Sequence, residues 1–406
     1  MKADNKKGSA GKRGNNVRSD CYIEIELTKS KGIKSSLQSK VNSMYGQDIN
    51  DMIIMMCDFF VIKHAEIMVE DNGALPFTLA ARFEAAYKKI RPDDSREFFP
   101  SMNKNNYYTT QKDRVRRSRL YLPGNEPKFY PNAGLHKPDG IILDLEDSVA
   151  PTEKDSARYL VRNALCSVDF YGAERMVRIN QLPMGLNDLK FVVPHNVHVI
   201  LIPKCESEIT VKDVEEEINI IKAKNNISAD IYLMPIIESA LGVVKSYEIA
   251  TASDKVCALA VGLEDYTADL GVERTNEGKE SFYARSAVVN SAKAAGVQAI
   301  DTVFSDVDDM DGLRTSVIEA KALGFEGKGC IHPRQINVVH DAFAPTEKEI
   351  EKAKKIVLAF NEAEKNGLGV VALGSKMIDA PVVKRAKHTI DLAILNGLLN
   401  KNWEKE

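Results

Sequence analysis

The stretch GIILDLEDSVAPTEKDSAR, Gly140 to Arg158, opens as an apolar run with the look of a buried strand and ends in Asp144, Glu146 and Asp147. In a strand alternate side chains share a face, so Asp144 and Glu146 point one way while Leu143, Leu145 and Asp147 point the other. Two acids are thereby set side by side at the end of the strand. Unpaired they repel and resist burial, so they call for a cation, a shared proton or hydrogen-bond donors, all common in active sites. Taken alone, DLED reads more simply as a solvated strand end, and the rest of the chain has to decide.

Working outward, short apolar runs alternate with helical segments through residues 118 to 333: SRLYLP, GIILDL, RMVRIN, VHVILIP, IYLMPIIE, VCALAVGLED, VQAIDTVF and GKGCIHP, with amphipathic segments such as SEITVKDVEEEINIIKAK between them. Strand-helix alternation of this length predicts an α/β fold of the (β/α)8 type, a TIM barrel over residues 115–345, with its chemistry at the carboxyl ends of the strands. An open doubly wound sheet lacks its usual support, because no GxGxxG turn follows the first strand. Beyond the barrel, a long charged helix from Thr346 and then a hairpin and a helix predict a C-terminal lid or helical extension over 346–400.

The N-terminal part has a different grammar. Residues 1–20 are basic and polar, which predicts a disordered arm. Residues 21–91 read as a small α+β domain: a strand in YIEIEL, a helix across SLQSKVNSMYGQDINDMIIMMCDFF, a strand in AEIMVED and a helix in LPFTLAARFEAAYKKI. Residues 92–114 are polar and without period, and predict a linker.

Composition narrows the function classes. The 406 residues carry a formal net charge of −3, so there is no global basic field for a nucleic-acid surface. No run of about eighteen apolar residues is present, and the basic start lacks the apolar core of a secretory signal, which predicts a soluble chain with no membrane partner. Six cysteines without CxxC spacing predict reduced, buried thiols in a cytoplasmic protein and no zinc site.

The predicted strand ends collect charge: Arg116 or Arg117 before the first, Asp144 and Glu146 after the second, Arg178 on the third, Lys204 after the fourth, Glu238 on the fifth, Glu264 and Asp265 after the sixth, Asp306 after the seventh and His332 after the eighth. Each alone is a solvated loop residue; together they converge on one face. Glu238 follows the apolar LMPII, and burying it uncompensated would cost several kcal/mol. Oxygen ligands of this kind suit a hard divalent cation such as Mg2+. Arg178 offers a planar fork for a substrate carboxylate.

The segments RRSRLYLPGN, DLEDSV with EKDSAR, VRIN, IPK, PIIESALGV, GLEDYTADLG, FYARSAVV, GKGCIHPRQI, APTEKEIEKA and GLGVV with KMIDAP occur in this order from Arg117 to about Leu395. In this the chain resembles the citrate lyase beta subunit and the wider citrate-lyase-beta-like acyl-CoA lyases of the HpcH/HpaI aldolase superfamily. The resemblance implies a trimeric or hexameric Mg2+-dependent barrel that cleaves β-hydroxyacyl thioesters to a keto acid. It implies that Glu238 and Asp265 hold the metal, that Arg178 grips the keto-acid carboxylate, and that Glu146 serves acid/base chemistry beside the metal. It further implies that Arg117 and the segment His332, Pro333 and Gln335 meet the CoA-like arm. Asp379, in a tail that closes a neighbouring subunit's mouth, is implied to exchange a proton with the enolate carbon. The acyl group stays open between citryl, citramalyl and malyl. A malate-synthase-like condensation with CoA release is a second reading, and a non-catalytic scaffold a third.

Residues 10–90 resemble the citrate lyase acyl carrier protein, the gamma subunit, through GIKSSLQSKVNSMYGQDI and VEDNGALPFTLAARFEAA. That family carries a CoA-derived prosthetic group on a serine in ESSD or ESGD. Here the stretch is GNNVRSDCYIEIE, with Arg18 at the position most like the modified serine. The resemblance therefore leaves attachment at Ser19 or a carrier retired to assembly, and implies an alpha-like acyltransferase subunit as partner for a complete citrate lyase.

Overall fold

The protein is described by a computed structural model covering residues 6–365, 371–373 and 376–405. Its N-terminal domain is a four-stranded sheet in the order β1-β2-β4-β3, from β1 (Lys7–Gly11), β2 (Cys21–Leu27), β3 (Ile33–Ser39) and β4 (Ala65–Asp71). Only the β3–β4 pair is parallel. Helix α1 (Asn42–Phe59) buries Gly46, Ile49, Ile53, Met56 and Cys57, the one-face spacing that an amphipathic helix requires.

Two expectations are corrected here. Residues 7–11 of the predicted disordered arm form β1, paired antiparallel with Tyr22–Glu26. The strand's buried face is made of Gly8 and Ala10. A side chain at Gly8 would start 2.2 Å from the Ala86 carbonyl, so small residues let the strand lie flush on a helix while adding nothing to its hydropathy. Likewise Ile33–Ser39, part of which was expected as helix, is the edge strand β3, because Leu37, Val41 and Tyr45 satisfy a helical spacing by coincidence.

Helix α2 (Pro76–Ile90) starts with Pro at its first position, where no backbone donor is lost, and it is buried on nearly every side. It lies between the sheet and the first barrel helix, α3 (Lys154–Ser167). Phe77 and Ala81 belong to the barrel's core and Leu79, Ala80 and Phe83 to the N-terminal core. Charges at such a helix need partners. Arg82 Nε and Nη2 donate to Asp20 at 2.9 and 2.8 Å, and Nη1 to Ser156 Oγ at 2.8 Å. Glu84 accepts from Arg162 Nη2 at 2.6 Å, with both side chains fully buried. Residues 92–114 are not a free linker either: Asn106 is buried and donates to the Val168 carbonyl at 2.7 Å, and Tyr108 Oη donates to the Ala173 carbonyl at 2.6 Å.

The barrel closes from eight parallel strands: β5 (Ser118–Pro123), β6 (Gly140–Asp144), β7 (Glu174–Arg178), β8 (Val199–Ile202), β9 (Tyr232–Ile237), β10 (Ala258–Val261), β11 (Gln298–Asp301) and β12 (Gly327–Cys330). β12 returns to β5 with Gly329 opposite Arg119 and Cys330 opposite Leu120. Inward residues such as Ile142, Met176, Leu201, Met234 and Ile300 fill the barrel, and outward ones join the helix layer. This two-sided burial is why the strands read as unbroken apolar runs. All six cysteines are buried and without disulfides. No helix among the described residues is long and apolar enough to cross a membrane.

Past the barrel, the helix Glu347–Lys365, the hairpin of β13 (Val371–Leu373) and β14 (Lys376–Ile378), and the helix Ala380–Leu395 form their own apolar cluster around Ile356, Val357, Ile390 and Trp403. Most of the GLGVV motif, Gly367 to Val370, lies outside the described residues.

Replacing Arg162 by Leu strands the Glu84 carboxylate in a dry interface and is expected to cost about 3–5 kcal/mol. The double variant Arg162→Leu with Glu84→Leu is expected to recover most of it, read as melting temperatures across the four-member cycle. Additive losses would show that the pair is uncoupled.

Candidate active site

The carboxyl ends of the strands open into a cavity of about 450 Å3. A larger hollow of about 520 Å3 beside it, bounded by Glu273–Ser281 and the helix Met310–Leu323, lacks the Asp144, Arg178 and Glu238 side chains that open into the first.

Asp144 ends β6 and stands in register with Arg178, which ends β7. Arg178 donates through Nε and Nη2 to Asp144 at 2.6 and 2.8 Å. Its Nη1 lies 2.8 Å from Glu146 and 3.1 Å from Asp147. The fork expected to take a substrate carboxylate is therefore occupied by Asp144. Glu146 also accepts from Gln181 Nε2 at 3.1 Å, while its other oxygen is buried and outside hydrogen-bond geometry with the arginine. Lys154, at the start of α3, donates to the carbonyls of Leu145 and Glu146 and holds the turn. Arg158 meets Asp188, which accepts from the backbone and side chain of Asn180, so DLEDSV, EKDSAR and VRIN form one network.

The two acids of DLED differ in environment. Asp144 is buried, but hydrogen bonds from Arg178 hold its carboxyl below the usual range. Burial pushes Glu146 up to about 7, against the pull of Arg178 and with Asp147 adding repulsion. Neighbouring carboxyls pushed apart in this way can divide into an ionised partner and a proton acceptor.

Glu238 directly follows β9 and is buried; Oε1 accepts from the Lys204 backbone at 2.6 Å. Its other oxygen faces Gly262, where a side chain would start 2.4 Å away, so the glycine keeps that oxygen's surroundings open. Burial, with Glu146 and Asp265 nearby, pushes the Glu238 carboxyl up to about 8. Asp265, in the first turn of the helix Leu263–Leu270 after β10, pairs with Lys204 Nζ at 3.0 Å. Carboxylates at this mouth outnumber the cations Arg178 and Lys204. Among the described residues no three His, Cys, Asp or Glu side chains converge as a complete metal cage. The donor set nonetheless suits Mg2+, which is usually held by one or two carboxylates with water and substrate supplying the rest.

The remaining candidates scatter. Arg117 precedes β5 and lies at the amino end of the barrel, opposite the mouth, bound to Asp139 at 2.8 and 2.9 Å and to Asn396. It is not at the rim, because a residue before a strand sits at the end the chain enters. Arg116 is buried at the same end against Glu174. His332 and Pro333 follow β12 at the rim. Gln335 is fully buried, accepting from Ile331 N at 2.8 Å and donating to the Phe304 carbonyl at 2.9 Å, so it fixes the rim turn and is not exposed to a cofactor. Asp306 is held in its own turn. Asp379 caps the helix Ala380–Leu395, accepting from Val382 N at 3.2 Å. Ser19 is half-buried with φ 52, next to the buried Asp20. Arg119, Tyr121 and Thr302 line the cavity and went unread in the sequence. The available signal was an arginine at an inward position of an apolar strand.

Residues 117–333 match the family model described as HpcH/HpaI aldolase/citrate lyase, and residues 10–90 the one described as ACP, malonate decarboxylase delta subunit (MdcD). The chain is 42% identical over 293 residues to the citrate lyase subunit beta of Leuconostoc mesenteroides subsp. cremoris, covering 71% of this chain and 96% of the relative. It is 33% identical to the mitochondrial citramalyl-CoA lyase of Mus musculus, covering 68% of this chain and 86% of that protein. Among solved structures, protein CitE of Mycobacterium tuberculosis in complex with magnesium, acetoacetate and coenzyme A aligns with a TM-score of 0.57 at 29% identity, over 69% of this chain and 98% of that one.

A carboxyl raised by burial favours the protonated fold, so the metal-free chain loses that stability as pH climbs from the ordinary glutamate range through about 8. An ion that needs the carboxylate competes with the proton below that point. Mg2+ is therefore expected to raise the melting temperature more near pH 8.5 than near pH 6.5, and Glu238→Gln to remove the difference. A gain independent of pH would overturn Glu238 as the ligand.

Proposed function

The chain belongs to the HpcH/HpaI aldolase/citrate lyase family, and from that premise we propose that it is a Mg2+-dependent oxo-acid lyase splitting a citryl-type thioester into an acetyl thioester and oxaloacetate. The observation that carries this is the buried Glu238, with Asp265 on the next strand end, facing the Arg178–Asp144 pair across one mouth. Glu238 and Asp265 would hold Mg2+, which would supply Lewis-acid polarisation of the substrate. In the retro-Claisen step the hydroxyl loses its proton, the carbon-carbon bond breaks, and its electron pair passes into the thioester enolate. Glu146 is placed to take the hydroxyl proton, since its carboxyl titrates near working pH. Arg178 neutralises the keto-acid side, with Asp144 fixing its plane. His332 and Pro333 form the edge that meets a CoA-like arm, and Gln335 supports that edge from below.

Asp379 is proposed to return a proton to the enolate carbon of an adjacent subunit in a trimer or hexamer. In support, Met377 beside it is 71% exposed, an apolar side chain that a neighbouring surface would cover. An alpha-like acyltransferase subunit would complete a citrate lyase.

One observation favours a second reading, a citramalyl-CoA or malyl-CoA lyase, or a malate-synthase-like enzyme, working on free CoA with a scaffold in place of a carrier. The N-terminal domain is fixed to the barrel by the buried Glu84–Arg162 ion pair and the buried Arg82–Ser156 hydrogen bond and cannot swing as a whole. Intact mass of the natively expressed protein separates the two, since a phosphopantetheine-type adduct at Ser19 belongs to the first alone.

Glu238→Gln and Asp265→Asn are expected to abolish turnover while the chain stays folded; full activity of both in excess EDTA would refute the metal reading. Arg178→Lys keeps charge but loses the two-donor grip on Asp144 that orients the cation, and keto-acid affinity is expected to fall by about 1–3 kcal/mol. Asparagine caps helices as well as aspartate, so Asp379→Asn isolates the carboxyl's chemistry from its capping role. That variant is expected to bind keto acid but not cleave, and to recover activity when subunits exchange with an Arg178→Ala variant. Proven exchange without recovery would refute a shared site.

A further inference from the structure

Arg119 stands on β5 at 1% exposure and lines the mouth cavity, yet meets no carboxylate. Nη1 lies 3.0 Å from the Met234 thioether, Nη2 is 3.5 Å from the Asp301 carbonyl, and Nε has no partner. The comparably buried Arg82, Arg116 and Arg162 are each matched, to Asp20, Glu174 and Glu84. Arg175, the other fully buried arginine without a carboxylate among the described residues, donates instead to the carbonyls of Asn196 and Tyr108 and is not part of the cavity wall. A buried cation left without an anion is costly, so its persistence at a cavity wall points to a charge that arrives with a ligand.

The surroundings leave room for that ligand. Arg119 is flanked in register by Gly140 on one side and Gly329 on the other. Asp144 pairs with Pro123, four residues further along β5, which places its backbone about 13 Å above that of Arg119 at the usual strand rise. The arginine side chain climbs part of this distance, to the Asp301 carbonyl at the end of β11. Its guanidinium is thus a positive floor beneath the ring of acids at the mouth.

We propose that Arg119 is a carboxylate-binding subsite that takes the second carboxylate of a dicarboxylic keto acid, and so selects an acyl thioester built on such an acid over one ending in methyl or hydrogen. This rests on the lyase reading. Arg178 and the metal carboxylates act on the carboxylate next to the reacting carbon; the distal carboxylate points down to Arg119. A methyl in its place leaves the guanidinium without an anion, and sites built around a charged hydrogen bond reject such analogues strongly.

The test is calorimetric binding of oxaloacetate and of pyruvate to the full-length protein with Mg2+, for wild type and Arg119→Met. Wild type is expected to prefer oxaloacetate by about 100-fold or more. Arg119→Met is expected to narrow the preference to within about threefold while pyruvate affinity is kept and melting temperature is unchanged or higher, since an unpaired buried charge is gone. An unchanged preference in folded Arg119→Met overturns the subsite. Should that variant not fold, equal affinities in the wild type overturn it equally. Binding is read without turnover, so a protein that cleaves no thioester yet loses its preference on Arg119→Met refutes the lyase reading and keeps the subsite. Intact citryl cleavage with an unchanged preference refutes the subsite alone.

Discussion

The pairing of Arg178 with Asp144 is the interaction on which the site depends. The two residues face each other in register at the carboxyl ends of neighbouring parallel strands, and the guanidinium uses two donors on one carboxylate. That bond fixes the plane of the arginine, directs its remaining donor at Glu146 and Asp147, and keeps Asp144 ionised while burial drives Glu146 toward neutrality. Removing it would free three carboxylates to repel one another at the mouth. The Lys154, Arg158 and Asp188 contacts behind it anchor the turn and the next strand to the same pair.

The second constraint comes from the N-terminal domain. Helix α2 is shared between two cores, and its Arg82 reaches Asp20, Ser156 and, at 3.4 Å, the carbonyl of Asn125 in the loop after β5. That loop and the start of α3 flank DLED. Gly124 donates to the carbonyl of Asp144 at 2.7 Å. The domain that matches the acyl-carrier family model is thus part of the wall that holds the acidic turn, and Ser19 adjoins the Asp20 that Arg82 holds. Any group borne there would have to move by its own length, since the domain beneath it is fixed.

Electrostatics ties these parts together. The mouth holds more acid than base, which suits a divalent cation at the rim, and the floor holds a guanidinium with no acid of its own. Charge is therefore graded along the barrel axis, negative at the opening and positive below. With a divalent cation held by the acids at the mouth, a substrate carrying carboxylates at both ends of a short carbon chain would meet a positive charge at each end.

Much of this was legible in the order of residues. Strands buried on both faces must be continuous apolar runs, so the barrel strands announced themselves, and their charged ends marked Asp144, Glu146, Arg178, Glu238 and Asp265. What local pattern cannot carry is which end of the barrel a residue occupies once the chain closes, and what already fills its hydrogen bonds. Arg117 read like a rim residue but enters at the amino end, and Gln335 read like a contact but is spent on the turn that holds it. The strand at Lys7–Gly11 was invisible because its buried face is made of glycine and alanine, whose value lies in how closely a helix can approach them. The solitude of Arg119 was equally invisible, since an arginine in a strand is matched or unmatched only by what the other seven strands bring inward. Sequence determined the fold and the chemical types at the mouth, because periodicity and strand ends are local; tertiary structure alone decided which charges meet and which one is left waiting.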